Sequence, residues 1–138
     1  MAVFYLDTCI WRDFYENRTD PKGRALGKSA TIFLLGVMKE KDVVLYSDII
    51  IDELKAKYEY AEIAALLATA SRLMRLKKVE IREEDYREAV RLSLDRKLPV
   101  GDALHAVVAR NNHAILVTQD KHFRKLHDIV AVRRPEES

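Results

Sequence analysis

The chain has 138 residues, a length that suits one compact domain with a sizeable hydrophobic core, and we expect residues 1–138 to form that single domain. Hydrophobic residues make up 49% and charged residues 33%, yet the formal net charge is only +2. This excludes a disordered chain and a strongly basic polyanion-binding protein, so any polyanion site must come from local clusters of charge. No apolar run reaches bilayer length, the first residues lack a signal-peptide pattern, and the single Cys9 permits no internal disulfide. We therefore expect a cytoplasmic protein with no membrane association.

The first half of the chain predicts strands and helices in alternation. The apolar run 2–6 predicts a short buried strand that ends at Asp7, where the Thr8 hydroxyl can cap the helix that follows. A short helix over residues 10–15 and a loop over residues 17–29 follow. The rest of this half is a helix over residues 30–39, a strand over residues 43–46 and, after the capping residue Asp48, a helix over residues 50–58.

The second half continues the same alternation. Residues 61–74 predict a long, mostly buried helix with basic residues at its end, and residues 79–81 predict a weak edge strand. There follow a helix over residues 83–97, a helix over residues 100–111 and a clear strand over residues 114–117. A short helix around Phe123 and Leu126, a last strand over residues 129–132 and a frayed tail over residues 133–138 end the chain. Strands separated by helices predict parallel β-α-β units with right-handed crossovers, and hence an α/β fold.

Four acidic residues stand near the ends of these elements, where a parallel sheet gathers its loops. Asp7 closes the first strand, and Glu53 lies in the first turns of the helix after the second strand. Asp102 starts the helix before the fourth strand, and Asp120 follows that strand. Ligands bind just outside the carboxyl ends of strands in open α/β sheets, so these carboxylates are candidate metal ligands. The alternative for Asp7 is that it only caps a helix.

Clustered carboxylates predict both a cation and a chemistry. Like charges repel, so such a cluster needs a cation to be stable at neutral pH. Hard carboxylate oxygens select Mg²⁺ or Mn²⁺, and the lack of paired Cys or His ligands argues against zinc. An ion of this kind can ionise a bound water and polarise a phosphoryl oxygen. The acids therefore indicate hydrolysis of a phosphodiester.

Four short segments, in this order and spacing, resemble the PIN domain and its VapC-type toxin ribonucleases: Asp7-Thr8, Glu53-Leu54, residues 102–106 and residues 117–120. The resemblance covers nearly the whole chain. It implies a five-stranded parallel sheet in a three-layer α/β/α sandwich, a homodimer, and a cognate antitoxin protein that holds the toxin inactive. It also implies an endoribonuclease site that acts on RNA with Mg²⁺ or Mn²⁺. The matching site residues are Asp7, Glu53, Asp102 and Asp120, with Thr118 as a nearby hydroxyl.

Several other residues have two interpretations. His105 lies one helical turn after Asp102, where it can face the site or bond a neighbour. A structural or solvent role is favoured because carboxylate sites for Mg²⁺ rarely need imidazole. Cys9 is expected to be an inert, partly buried thiol, and His122 is expected at the surface. A group of basic side chains has two equally favoured interpretations, phosphate contact and a solvated surface. They are Arg12, Arg18, Lys22, Arg24 and Lys28.

Two alternatives to a toxin nuclease remain open. One is a catalytically weak PIN scaffold that acts through protein partners, against which the presence of all four acids argues. The other is a housekeeping PIN ribonuclease, which the sequence does not separate from a toxin. A phosphatase of the aspartyl-phosphate type is disfavoured, because it should carry a second Asp where this chain has Cys9.

Overall fold

A five-stranded sheet forms the centre of the computed structural model, which describes residues 1–137. Its strands are β1 (Val3–Leu6), β2 (Val43–Tyr46), β3 (Arg75–Lys78), β4 (Ile115–Val117) and β5 (Val132–Arg133). All neighbouring strands are parallel, and their order across the sheet is β3-β2-β1-β4-β5. The α/β class with a parallel five-stranded sheet is therefore confirmed.

Helices connect the strands. They are α1 (Thr8–Glu16), α2 (Leu26–Glu40), α3 (Asp48–Lys55), α4 (Tyr60–Leu73), α5 (Glu83–Arg96) and α6 (Val100–Asn111). Two short 3₁₀ helices follow, at Lys121–Leu126 and Pro135–Glu137. None of the helices in the described residues is both long and apolar enough to cross a bilayer.

The central strand β1 is covered on both faces, which produces the three layers. Successive strand residues point to opposite faces. Phe4 packs edge-to-face on Phe33 of α2, with ring centroids 5.0 Å apart. The next residue, Tyr5, contacts His105 of α6 with centroids 5.5 Å apart. Burial on both faces explains why this strand is a continuous apolar run without a polar alternation.

The order of the strands reverses beside β1. The chain runs from β1 to β2 and β3 on one side, then returns to β4 and β5 on the other. Loops that leave β1 and β4 at their carboxyl ends therefore diverge and open a crevice. Leu6 pairs with Val117 in the register of these two strands, and the Asp7 amide donates to the Val117 carbonyl at 3.0 Å. This pairing brings Asp7 and Thr118 to the same edge of the sheet.

The third strand differs from the predicted one. It comprises Arg75–Lys78 rather than residues 79–81, because α4 ends at Leu73 and the chain is already extended at Met74. The basic residues that were expected to end a helix instead lie on an exposed edge strand paired with β2. Charged side chains are common on edge strands because they oppose pairing with other chains.

Three further features differ from the prediction: the start of α2, the bounds of the last strand and the structure of the tail. Helix α2 begins at Leu26 rather than at residue 30, since the loop before it closes through an antiparallel bridge between Thr19 and Ala25. The last strand is Val132–Arg133 rather than 129–132, and the tail is a 3₁₀ helix with Pro135 buried instead of frayed. Ser138 lies outside the described residues.

Candidate active site

Asp7 is both the cap of α1 and the innermost carboxylate of the crevice. Its Oδ1 accepts a hydrogen bond from the Thr8 amide at 2.8 Å. Its Oδ2 accepts from the Thr118 hydroxyl at 2.8 Å and from the Cys9 thiol at 3.2 Å. The expectation that the Thr8 hydroxyl caps this helix was wrong, because the Asp7 side chain does so. A buried carboxylate with three donors is held in one orientation.

Thr118 connects the carboxyl ends of β1 and β4. Its buried hydroxyl donates to Asp7 Oδ2 and accepts from the amide of Asp120 at 3.0 Å. A single side chain therefore fixes the position of Asp7 and the start of the turn that carries Asp120. The predicted nearness of Thr118 to the acids agrees with this geometry.

Glu53 reaches the same edge from α3. Its Oε1 accepts from the Thr8 hydroxyl at 2.6 Å and lies 2.5 Å from His105 Nε2. The side chain is 41% exposed, so Glu53 borders solvent. Partial burial acts to raise the pKa of Glu53, but the hydrogen bond and charge of His105 and the Thr8 hydroxyl outweigh burial, and the pKa is lowered from its ordinary value.

His105 is the buried support of Glu53. Its Nδ1 lies 2.8 Å from the Tyr5 hydroxyl, which is itself 2.8 Å from the Ser47 hydroxyl. Burial acts to lower the pKa of His105, but the Glu53 hydrogen bond and the charges of Asp7, Glu53 and Asp102 raise it above its ordinary value. A proton on Nε2 is the arrangement that satisfies the facing carboxylate. The expected structural role agrees with this position, and the solvent-facing alternative does not.

Asp102 and Asp120 form the outer part of the crevice. Asp102 lies in the first turn of α6, and Asp120 caps the 3₁₀ helix Lys121–Leu126 through a bond from the His122 amide to its Oδ1 at 2.9 Å. Burial, then the charges of Asp120 and Asp7, raise the pKa of Asp102 to about 6, and His105 and His122 offset part of this effect. The three aspartates are therefore close enough to repel one another.

The donor atoms fall into two adjacent groups. Asp7, Glu53 and His105 each offer an atom within 4.8 Å of the others, and so do Asp102, Asp120 and His122. A Cβ at Gly101, the residue before Asp102, would lie 3.7 Å from Glu53 Oε2, which places the two groups side by side. A set dominated by carboxylate oxygens fits a hard divalent cation such as Mg²⁺ or Mn²⁺.

The sequence interpretation missed the contact of His122 with Asp120, and it did not identify Glu53 as the residue that His105 supports. His122 was expected only at the surface, but its Nδ1 lies 3.0 Å from Asp120 Oδ1. His105 contacts a glutamate 52 positions away. The available signal was local spacing, since each histidine follows a site aspartate by two or three residues. The remaining acids near Glu53 point elsewhere, with Asp48 ion-paired to Lys78 and Asp52 to Lys55.

Three of the basic residues considered for phosphate contact are already ion-paired. Arg12 pairs with Glu16 at 3.1 Å, Arg18 with Asp13 at 2.8 Å and Arg24 with Asp20 at 2.6 Å, and only Lys22 and Lys28 of this set form no ion pair within residues 1–137. Paired guanidinium groups have part of their charge neutralised. The loop between α1 and α2 is therefore less electropositive than its composition suggests.

The fold and this site define an α/β domain with an acidic crevice at the switch point of a parallel sheet. A family model described as the PIN domain matches residues 4–129. The chain belongs to the PIN-domain family. The predicted resemblance is thus confirmed.

Solved structures agree with the family. The chain is similar to a chain of VapBC2 from Rickettsia felis bound to a promoter DNA fragment, with 20% identity, a TM-score of 0.69, and coverage of 96% of this chain and 98% of that chain. It is similar to VapBC-1 from nontypeable Haemophilus influenzae, with 21% identity, a TM-score of 0.66 and coverage of 96% and 98%. A toxin-antitoxin complex from Klebsiella pneumoniae has 18% identity, a TM-score of 0.63 and coverage of 96% and 97%. No curated protein matches the chain significantly. Because the identities are this low, these structural likenesses show a shared fold and nothing more.

Proposed function

We propose that this protein is a divalent-metal-dependent endoribonuclease and the toxin of a toxin–antitoxin pair. The observation that carries the proposal is the convergence of Asp7, Asp102 and Asp120, with Glu53, at one edge of the sheet. Burial, and then the charges of Asp120 and Asp7, raise the pKa of Asp102 to about 6. Such an arrangement costs free energy unless a cation binds there. The residues that would hold Mg²⁺ or Mn²⁺ are Asp7, Glu53, Asp102 and Asp120.

The toxin assignment and the partners follow by analogy with the structural neighbours. These neighbours include a toxin–antitoxin complex and a member of the VapBC family of toxin–antitoxin systems. By analogy, we propose a cognate antitoxin protein as the inhibitor of this chain. We propose a homodimer as its assembled form because the family resemblance implies one. RNA is proposed as the substrate because the family resemblance that the sequence shows is to toxin ribonucleases.

The chain's own residues prepare the site before substrate binds. A bound divalent ion supplies Lewis-acid polarisation of the phosphoryl oxygen and a water of lowered pKa. Asp7 is oriented by Thr118, and Glu53 is oriented by Thr8 and His105. Asp102 and Asp120 are less enclosed than Asp7 and complete the ligand set at the solvent side. Preorganised ligands reduce the reorganisation needed during the reaction.

Cleavage of labelled single-stranded RNA in Mn²⁺, and in chelator, tests the proposal. The wild type should cleave only with the ion, and Asp102→Asn should not cleave. Asp52→Asn is the matched control, because Asp52 lies beside Glu53 on α3 but its side chain is 71% exposed and pairs with Lys55. Full cleavage by Asp102→Asn, or none by the wild type in Mn²⁺, would overturn the nuclease assignment.

Cleavage combined with two further measurements, Mn²⁺ binding and co-expression of the neighbouring reading frame, separates the alternative functions. A catalytically weak scaffold would bind Mn²⁺ in calorimetry and cleave nothing. A housekeeping ribonuclease would cleave RNA but would not be inhibited by the product of any adjacent reading frame. Growth arrest on expression, relieved by co-expression of that neighbour, is the result expected of a toxin.

A further inference from the structure

A basic pocket opens directly beside the acid cluster. It has a volume of about 200 Å³ and lies at the carboxyl ends of β4 and β5. Thr118 and Asp120 form one wall. The positively charged side chains on the other walls are Lys121, Arg124, Arg133 and Arg134.

The register of the sheet explains this position. Val117 of β4 pairs with Arg133 of β5, and the Thr118 amide donates to the Arg133 carbonyl at 2.9 Å. The chain therefore leaves both strands at the same level, with the Thr118–Asp120 turn on one side and Arg133 and Arg134 on the other. The basic and acidic parts of this edge adjoin one another.

Asp120 and Glu137 also line the pocket, but most of its positive charges have no ion-pair partner in the described part of the chain. Within residues 1–137, Lys121, Arg124 and Arg133 form no ion pair, and Arg134 has only a contact of 4.0 Å with Glu137. The arginines of the loop between α1 and α2 contrast with them, because Arg18 and Arg24 have carboxylate partners within 2.8 Å. Free cationic groups gathered in a concave surface attract polyanions most strongly.

We propose that this pocket binds backbone phosphates of single-stranded RNA next to the scissile phosphodiester. The inference rests on the proposed nuclease function, whose acid cluster would by itself repel a polyanion. Cationic side chains that neutralise neighbouring phosphates overcome this repulsion and give a salt-dependent affinity. The pocket thereby fixes the position of the RNA strand relative to the acidic residues. This places the RNA path at β5 rather than at the loop between α1 and α2.

Fluorescence anisotropy with a labelled oligouridylate of about 12 nucleotides, in chelator to prevent cleavage, tests the pocket directly. The variant is Lys121→Ala/Arg124→Ala, which changes two exposed side chains. The matched control is Lys39→Ala/Arg75→Ala, with equal charge loss at the opposite end of the sheet, where α2 ends and β3 begins. Thermal unfolding of all variants shows that each is folded. Arg133→Ala, a single substitution, serves as a second pocket variant.

The expected result is a tenfold or larger rise in Kd at low salt for the pocket variant alone. Its slope of log affinity against log salt should become shallower by about 0.7 for each lost phosphate contact, with no change in the control. In cleavage assays KM should rise while kcat stays near the wild-type value, since the lost binding is uniform between ground and transition states. An oligothymidylate of equal length measures whether the pocket also accepts DNA phosphates.

Failures of the two proposals are distinguishable. If the wild type cleaves RNA but the pocket variant keeps the wild-type KM and salt slope, the pocket proposal falls and the nuclease stands. If the wild type binds oligouridylate through the pocket but never cleaves it in Mn²⁺, the nuclease falls and the phosphate site stands. If the variant loses binding of an oligoglutamate peptide but not of RNA, the pocket is a site for protein carboxylates and the proposal is overturned.

Discussion

His105 Nε2 lies 2.5 Å from Glu53 Oε1, while its other ring nitrogen lies 2.8 Å from the Tyr5 hydroxyl. The imidazole is buried and connects the interior of the sheet to a partly exposed carboxylate. Glu53 is therefore not a freely rotating surface side chain. Its orientation depends on a residue that does not itself border solvent.

His105→Ala should weaken metal binding as well as stability. Loss of an outer partner of a ligand commonly lowers metal affinity by about tenfold or more. The cavity and the broken hydrogen bonds should lower the free energy of unfolding by about 2–4 kcal/mol. Calorimetric titration with Mn²⁺ and urea unfolding measure the two effects. His105→Gln should recover part of the affinity, and Mn²⁺ affinity unchanged in His105→Ala would show that Glu53 needs no support from it.

Asp7→Asn and Asp102→Asn should both abolish cleavage but differ in stability. Asp7 accepts three hydrogen bonds, and an amide cannot accept all of them, so we expect a loss of about 1–2 kcal/mol in the free energy of unfolding. Asp102→Asn removes a repelled charge and should not destabilise the metal-free protein. Asp120→Asn should be milder in cleavage. Urea unfolding combined with RNA cleavage measures these outcomes, and near wild-type turnover in either of the first two variants would contradict them.

The metal-free protein should lose stability as pH rises because of Asp102. Its pKa in the folded state is about 6, above the ordinary value of 3.8. Between these values the folded state binds more protons than the unfolded state, so the free energy of unfolding falls as pH rises through this window. Asp102→Asn should then be more stable than the wild type by on the order of 1 kcal/mol near pH 7, with the difference lost below the ordinary pKa of 3.8. Urea unfolding in chelator across this range measures the difference, and parallel pH curves would contradict it.

Mn²⁺ should raise the melting temperature of the wild type. Binding to the folded state alone adds about 2.7 kcal/mol at a hundredfold excess over Kd, or roughly 10 °C for a domain of this size. Asp102→Asn should gain less, and the control Asp52→Asn should gain as much as the wild type. Thermal unfolding with Mn²⁺ and with chelator measures all three. A full gain in Asp102→Asn would mean that Asp102 is not a ligand.

Arg18→Ala should lower the free energy of unfolding more than Arg24→Ala does. Arg18 bonds Asp13, a buried carboxylate whose second oxygen has no hydrogen-bond partner in the described structure. An uncompensated buried charge costs about 3 kcal/mol, whereas the exposed pair of Arg24 and Asp20 is worth at most about 1 kcal/mol. Urea unfolding of both variants compares them. The double variant Arg18→Ala/Asp13→Asn should lose less free energy of unfolding than Arg18→Ala. Equal losses in Arg18→Ala and Arg24→Ala would contradict this account.

The elements that the sequence predicts well are those whose burial dictates their composition. The strands that precede Asp7 and Thr118 are buried on both faces, so they appear as apolar runs that end at polar residues. Strand β3 lacks this signal because its exposed edge carries Arg75, Lys77 and Lys78. The start of α2 was missed for a local reason: a side chain at position 27 would clash with the backbone of Asn17, so Gly27 is needed within the helix, where a glycine is usually taken as a sign of a loop.

The acids could be predicted from the sequence, whereas the contacts that orient them could not. Each acid follows or precedes a recognisable element, so its edge of the sheet is evident from topology. The partners of Glu53 are 45 and 52 positions away, and no local pattern specifies such pairings. The basic pocket likewise depends on the register of β4 and β5, which brings Thr118 beside Arg133.

The bond between Thr118 and Asp7 joins residues 111 positions apart, and this separation affects the order in which the chain can fold. While the protein is being synthesised, β1 can pair with β2 long before β4 exists. Closing the longer loop costs more chain entropy and belongs to the slow, non-local part of folding. Asp120 is also made only after β4. A nascent chain therefore lacks the complete set of acids until β4 and the turn that follows it have been translated, so no assembled site exists on the ribosome before that point.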